Sequence, residues 1–188
     1  MGDTILMENQ KENEMTFLEY IPKAMETAKF RDVDVQITCS LFGLQGETVE
    51  LRQKIDSLKE VSNKEIKKEF GDVYWYMASL FTSLNIDAEY WLSLTDGSES
   101  ELCLDDMDLG FFGGIFELAK KAYRKASYSE MEVMYNDYIA ACLVDLYYVL
   151  QSTLDNMGFK QEEILQMNID KLKDRMERDV LHSSGDNR

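Results

Sequence analysis

The sequence predicts an all-α protein, on three observations. Its 188 residues include one proline and ten glycines, so little in it interrupts long helices. Apolar residues recur at steps of three and four over several long segments, the period of a helix face and not the alternation of a strand. Apolar residues make up 45% of the chain and charged residues 30%, enough to bury one core or two small ones and unlike a disordered tail.

The elements follow in order. Residues 1–15 open on the polar run MGDTILMENQKE, which has no sustained period and is expected to be a flexible N-terminus. Thr16 followed by Glu19 has capping-box spacing and starts a first helix to about Lys29, with Pro22 in its first turn or kinking it. A second helix carries Ile37, Leu41, Leu44, Leu51, Ile55 and Leu58 on one stripe, and a third carries Ile66, Phe70, Val73, Met77, Phe81 and Leu84. These stripes are the expected core of a first half, residues 16–94. The acidic, glycine-bounded segment 95–110, TDGSESELCLDDMDLG, reads as a linker.

Helix periodicity returns in 111–178, leaving 179–188 as a tail. Ile139, Leu143, Leu146, Leu150, Leu154 and Met157 repeat the third-helix stripe 73 residues on, and Asp145-Leu-Tyr-Tyr falls on Asp72-Val-Tyr-Trp. Glu117-Leu118 and Lys121 likewise fall on Glu50-Leu51 and Lys54 at an offset of 67. The expected architecture is a helical bundle built as a tandem pair of helical hairpins by diverged internal duplication.

Charge and rare residues exclude whole classes of function. Thirty-six acids against twenty bases give −16, which opposes binding to phosphate backbones or anionic lipid, so neither nucleic acid nor membrane is an expected partner. The longest uncharged apolar stretch, Val73 to Ile86, has 14 residues, short of the ~20 of a membrane span. The N-terminus lacks the pattern of a secretion signal. Cys39, Cys103 and Cys142 lie without C-x-x-C spacing and are expected as buried thiols, with the cytoplasm as the expected compartment. The one histidine, His182, lies in the tail, which excludes paired-histidine metal sites and discounts a Ser-His-Asp triad.

What remains is carboxylate chemistry. Glu47 with Glu50, and Glu69 with Asp72, are i, i+3 pairs, each projecting from one helix face beside an apolar stripe. Packing the two stripes brings the four carboxylates together at the core edge, where they repel unless protonated or neutralised by cations. Hard oxygen donors point to Mg2+, with Mn2+ as a substitute. Gly43, Gly46 and Gly71 sit inside the helical patterns, where each costs ~1 kcal/mol relative to alanine and predicts close helix approach.

At these residues the chain resembles a family. F-G-L-Q-G-E-T-V-E-L-R-Q-K-I, then K-K-E-F-G-D-V-Y-W-Y-M-A-S-L, is similar to the E-x-x-E and E-x-x-D signature of MazG-type all-α nucleoside triphosphate pyrophosphohydrolases. The opening M-T-F-L-E-Y and the ending N-I-D-K-L-K-D-R-x-x-R-x-x-L-x-x-S-G-D-N-R resemble that family's ends, so the likeness covers residues 15–87 and 158–188. About 70 residues separate the E-x-x-D helix from the N-x-x-K-L-x-x-R helix here, where the family has a short connection. The inserted repeat keeps Glu117 and Asp145 but has Gly114 opposite Glu47 and Cys142 opposite Glu69. By resemblance to dimeric dUTPase-like enzymes, the chain is expected to be a pseudo-dimer with one live half.

The resemblance implies hydrolysis of a nucleoside triphosphate to monophosphate and pyrophosphate, with Glu47, Glu50, Glu69 and Asp72 as metal ligands and Glu47 or Glu50 as general base. It also implies assembly with a second copy. Lys54 either pairs with Glu50 or contacts phosphate. Asn168, Lys171 and Arg175 match the family's last helix, with phosphate as the expected partner of the two bases. Phe42, Trp75 and Tyr76 flank the acids and are either base-stacking residues or core. A catalytically silent helical binding module is the rival reading.

Overall fold

The computed structural model describes residues 14–95, 103–107, 111–113, 115–116 and 128–178, with 128–135 described by backbone alone. These residues form helices and turns, with no strand among them. The helices are α1 (Phe17–Met25), α2 (Val33–Asp56), α3 (Asn63–Ser83), α4 (Ala88–Ser93), α5 (Tyr128–Met157) and α6 (Gln161–Glu177), with one 3-10 turn at Leu104–Asp106. No helix of the described residues is long and apolar enough to cross a membrane. Of the flexible segment expected at 1–15, residues 1–13 lie outside the described residues, as do the repeat positions Gly114, Glu117, Leu118 and Lys121 and the tail with His182; Met15 is buried in the core.

Helix starts follow side-chain chemistry. Thr16 and Glu19 form the capping box at α1, and Ser62 and Glu65 form another at α3, while Asp32 and Asp87 cap α2 and α4 by accepting from Val35 and Tyr90. Helix α1 stops at Met25, four residues before the expected end, and Pro22 lies within it.

Helix α3 is central: α1, α2, α5 and α6 all pack on it. It buries Ile66, Phe70, Val73, Tyr74, Met77, Ala78, Leu80 and Phe81, more than one face's worth, because neighbours surround it. The α2 stripe meets it through Ile37, Leu41, Leu44 and Leu51, all buried, but Leu58 falls beyond the helix end and is 50% exposed. Two of the cysteines also depart from expectation, since Cys39 and Cys103 are exposed and only Cys142 is buried. Within the expected linker, Leu104 and Met107 are buried in the common core, and Asp105 pairs with Arg52 of α2 at 2.9 Å.

Helices α3 and α5, whose apolar stripes lie 73 residues apart, have like burial and like ends. Ile139, Leu143, Leu146, Leu150 and Leu154 of α5 are buried like their α3 counterparts. Both helices end alike. Ile86 N–H donates to Phe81 C=O at 2.9 Å, and Phe159 N–H donates to Leu154 C=O at 2.9 Å. The intervening left-handed positions are Asn85 (φ 51°) and Gly158 (φ 65°). A further helix follows each, six residues long in α4 and seventeen in α6. Helix α4 packs on α5 and α6 packs on α3, so each stripe helix is covered by the helix that follows the other.

Candidate metal centre

The α2–α3 hairpin positions the acids. Helix α3 starts at its Ser62 cap, so Ile66, Phe70 and Val73 face the core and Glu69 and Asp72 fall on the side turned toward α2 and α6. Glu47 and Glu50 come from the facing part of α2, and the ligand oxygens of Glu47, Glu50 and Glu69 all lie within 4.8 Å of one another. Glu69 is 2% exposed, Glu47 is half-buried and Glu50 is exposed, so the cluster opens outward through Glu50.

Asp72 completes the acidic field from the α6 side. Lys171 Nζ donates to its Oδ2 at 2.6 Å and Asn168 Nδ2 donates to its Oδ1 at 3.1 Å. Asn168 is itself buried and accepts at Oδ1 from the Tyr20 hydroxyl at 2.7 Å, which ties α1, α6 and α3 into one relay. Gly71 makes room for it, since a Cβ there would stand 2.9 Å from both Cβ and Nδ2 of Asn168. Lys54, one turn past Glu50, reaches across the hairpin to Glu69.

The field shows in the proton affinities. Glu47 is raised to about 8, first by burial and then by the charges of Asp72, Glu69 and Glu50. Tyr76 is raised to about 12 by burial and by Glu47 and Asp72. Burial and the Asp72 charge push the Tyr20 phenol well above its ordinary value.

The aromatic candidates separate. Tyr76 lies against α2, where a Cβ on Gly43 would sit 2.2 Å from its ring, and its phenol faces the acids. Trp75 turns toward the segment after α1, donating Nε1–H to Thr27 Oγ1 at 3.2 Å with its ring 6.0 Å from Phe30. Phe42 is on the outer face of α2, 63% exposed, with its ring 5.3 Å from that of Phe116. Arg175 is half-buried one turn beyond Lys171. Gly43 and Gly71 mark close approaches as expected, but among the described residues nothing lies within 4 Å of a Cβ built on Gly46. Tyr20 was not legible as a site residue, because its sequence position falls on the apolar stripe of α1.

The donor set suits a hard divalent cation. Two oxygens on one Mg2+ at ~2.1 Å stand at most ~4.2 Å apart, so small rotamer changes close the 4.8 Å cluster around an ion. No protein-family model, curated protein or solved structure matches the chain.

Proposed function

We propose that the chain is a Mg2+-dependent nucleoside triphosphate pyrophosphohydrolase of MazG type, with Mn2+ as a substitute, acting in control or cleaning of nucleotide pools. The observation that carries this reading is the convergence of Glu47, Glu50 and Glu69 within 4.8 Å, with Asp72 beside them and lysines on two of the four acids. Bound Mg2+ would supply charge neutralisation at the phosphates and a water of lowered pKa.

The chain's own residues supply the rest. Glu47, Glu50, Glu69 and Asp72 hold the cation. Glu47 or Glu50 accepts the proton of the water that attacks the α-phosphorus; a new P–O bond forms, the α–β bridging bond breaks, and pyrophosphate leaves with the bridging oxygen. Lys54 and Lys171 hold the acids together before the cation arrives. With a cation held by the acids, both ammonium groups would be available to the substrate phosphates, with Asn168 and Arg175 on the same helix as Lys171. Tyr76 offers an aromatic face to the base, while Trp75 turns to Thr27 and Phe30.

The same two lysine pairs favour the second reading, a catalytically silent module in which they serve as structural ion pairs. A screen of pyrophosphate release over common and modified nucleoside triphosphates, with Mg2+, Mn2+ or chelator, separates the two. Release that depends on the cation and is lost in Glu69→Gln supports the enzyme. Its absence for every nucleotide supports the silent module.

A further inference from the structure

Helix α1 packs on both α3 and α6 and buries Phe17, Tyr20 and Ala24 toward them. The Tyr20 ring stacks on that of Phe17, 6.1 Å between centroids, and a phenyl ring would serve this packing equally well. Tyr20 is wholly buried, so its hydroxyl is stripped of water, a cost that a hydrogen bond must offset. That bond is the one to Asn168 Oδ1 at 2.7 Å, across 148 residues of chain.

Chemistry decides which way round the buried Asn168 amide lies. The Asp72 carboxylate, held by the Lys171 ammonium group, accepts hydrogen bonds and does not donate them. Nδ2 must therefore face Asp72, where it stands 3.1 Å from Oδ1, and the amide oxygen at the other end takes the Tyr20 proton. Every bond in this line has one direction, from Tyr20 through Asn168 to Asp72. The α3 backbone closes on the same amide, with Gly71 leaving no room for a Cβ beside Nδ2.

Asn168 and Lys171 do different work on Asp72. Lys171 spans both carboxylate oxygens, at 2.5 and 2.6 Å, on the edge that a cation would take, whereas Asn168 holds Oδ1. With the ammonium group displaced, Asn168 still orients the carboxylate and leaves Oδ2 to be presented. We propose that Tyr20 is a positioning residue for the metal centre, fixing the Asn168 amide so that Asp72 is held in the orientation that binds the cation. The inference rests on the reading of Asp72 as a cation ligand, and it adds α1 to the elements that build the site. In Tyr20→Phe the buried Oδ1 of Asn168 loses its donor, and the amide loses the bond that keeps it from turning.

Calorimetric titration of the full chain with Mg2+, in wild type, Tyr20→Phe, Asn168→Ala and the double variant, tests the proposal, with circular dichroism recording the fold. Tyr20→Phe keeps the ring and is expected to keep its helix signal, yet to bind Mg2+ about tenfold more weakly, the lower end of the loss for outer partners of metal ligands. In the Asn168→Ala background the same substitution is expected to change Mg2+ affinity little, because Tyr20 acts through Asn168. A hydroxyl that served packing alone would leave the affinity of the folded variant untouched. Equal Mg2+ affinity in wild type and Tyr20→Phe overturns the positioning role and leaves the metal centre standing. So does a tenfold loss that persists in full in the Asn168→Ala background. A wild type that binds no Mg2+ overturns the cation reading itself, and the positioning role with it.

Discussion

The raised proton affinity of Glu47 makes stability depend on pH in a defined direction. An isolated glutamate titrates at 4.5, but Glu47 in the folded chain is pushed up to about 8 by burial and three neighbouring carboxylates. Between these values the native state keeps a proton that the unfolded state has lost, so folding stability falls as pH rises through the window. The upper limit is 3.5 units at 1.36 kcal/mol each, roughly 5 kcal/mol. Glu47 is partly open to solvent, and screening reduces the effect to about 1–3 kcal/mol. Glu47→Gln removes the titration at nearly constant volume. Urea unfolding at pH 5 and pH 8.5 is therefore expected to show the variant close to wild type at the lower pH and more stable by about 1–3 kcal/mol at the higher. Saturating Mg2+ should close that gap, because a cation bound to the native state offsets the charge of ionised Glu47. Parallel pH profiles for the two proteins would refute the claim that Glu47 is strained by its acidic neighbours.

Three further outcomes follow from the same geometry. Gly71→Ala places a Cβ 2.9 Å from Asn168; it is expected to lower stability by about 1–3 kcal/mol and to reduce turnover by releasing Asp72, as read by thermal melts and pyrophosphate assay. Arg175→Ala is expected to weaken triphosphate binding or lower turnover by about tenfold, ~1.4 kcal/mol, while calorimetry of Mg2+ alone stays unchanged; wild-type kinetics would remove α6 from the phosphate site beyond Lys171. Glu69→Gln is expected to abolish turnover with circular dichroism preserved, whereas Asp145→Asn, on the exposed face of α5, should leave it nearly intact; equal losses would mean that the second half carries a live site.

Local chemistry was the most legible part of the chain. The Thr16 cap, the α3 stripe and its echo in α5 depend on spacing within one helix, and spacing is written in the sequence. The approach of Glu47 and Glu50 to Glu69 followed from the inner stripe of α2, since packing Leu44 and Leu51 on α3 leaves Glu47 and Glu50 little freedom of direction; Asp72 lies outside that three-residue group. Partners across the hairpin were less legible. Lys54 reaches Glu69 because the α2–α3 separation allows it, a distance no spacing encodes. Trp75 and Tyr76 are adjacent in sequence, yet ~100° of helix rotation sends one toward Thr27 and the other toward the acids. Gly46 departs from the expectation: among the described residues nothing lies within 4 Å of a Cβ built there. Tyr20 was hidden because its ring is core and only its hydroxyl reaches Asn168.

The central claim is that the Glu47, Glu50, Glu69 and Asp72 cluster holds a divalent cation for cleavage at the α-phosphorus. Its most direct test is turnover of nucleoside triphosphates in 18O-labelled water, with chelator followed by restored Mg2+. The account predicts cation-dependent production of monophosphate and pyrophosphate with the label in the monophosphate, and loss of both products in Glu69→Gln. Label found in the pyrophosphate, or equal turnover in the presence of chelator, would contradict it.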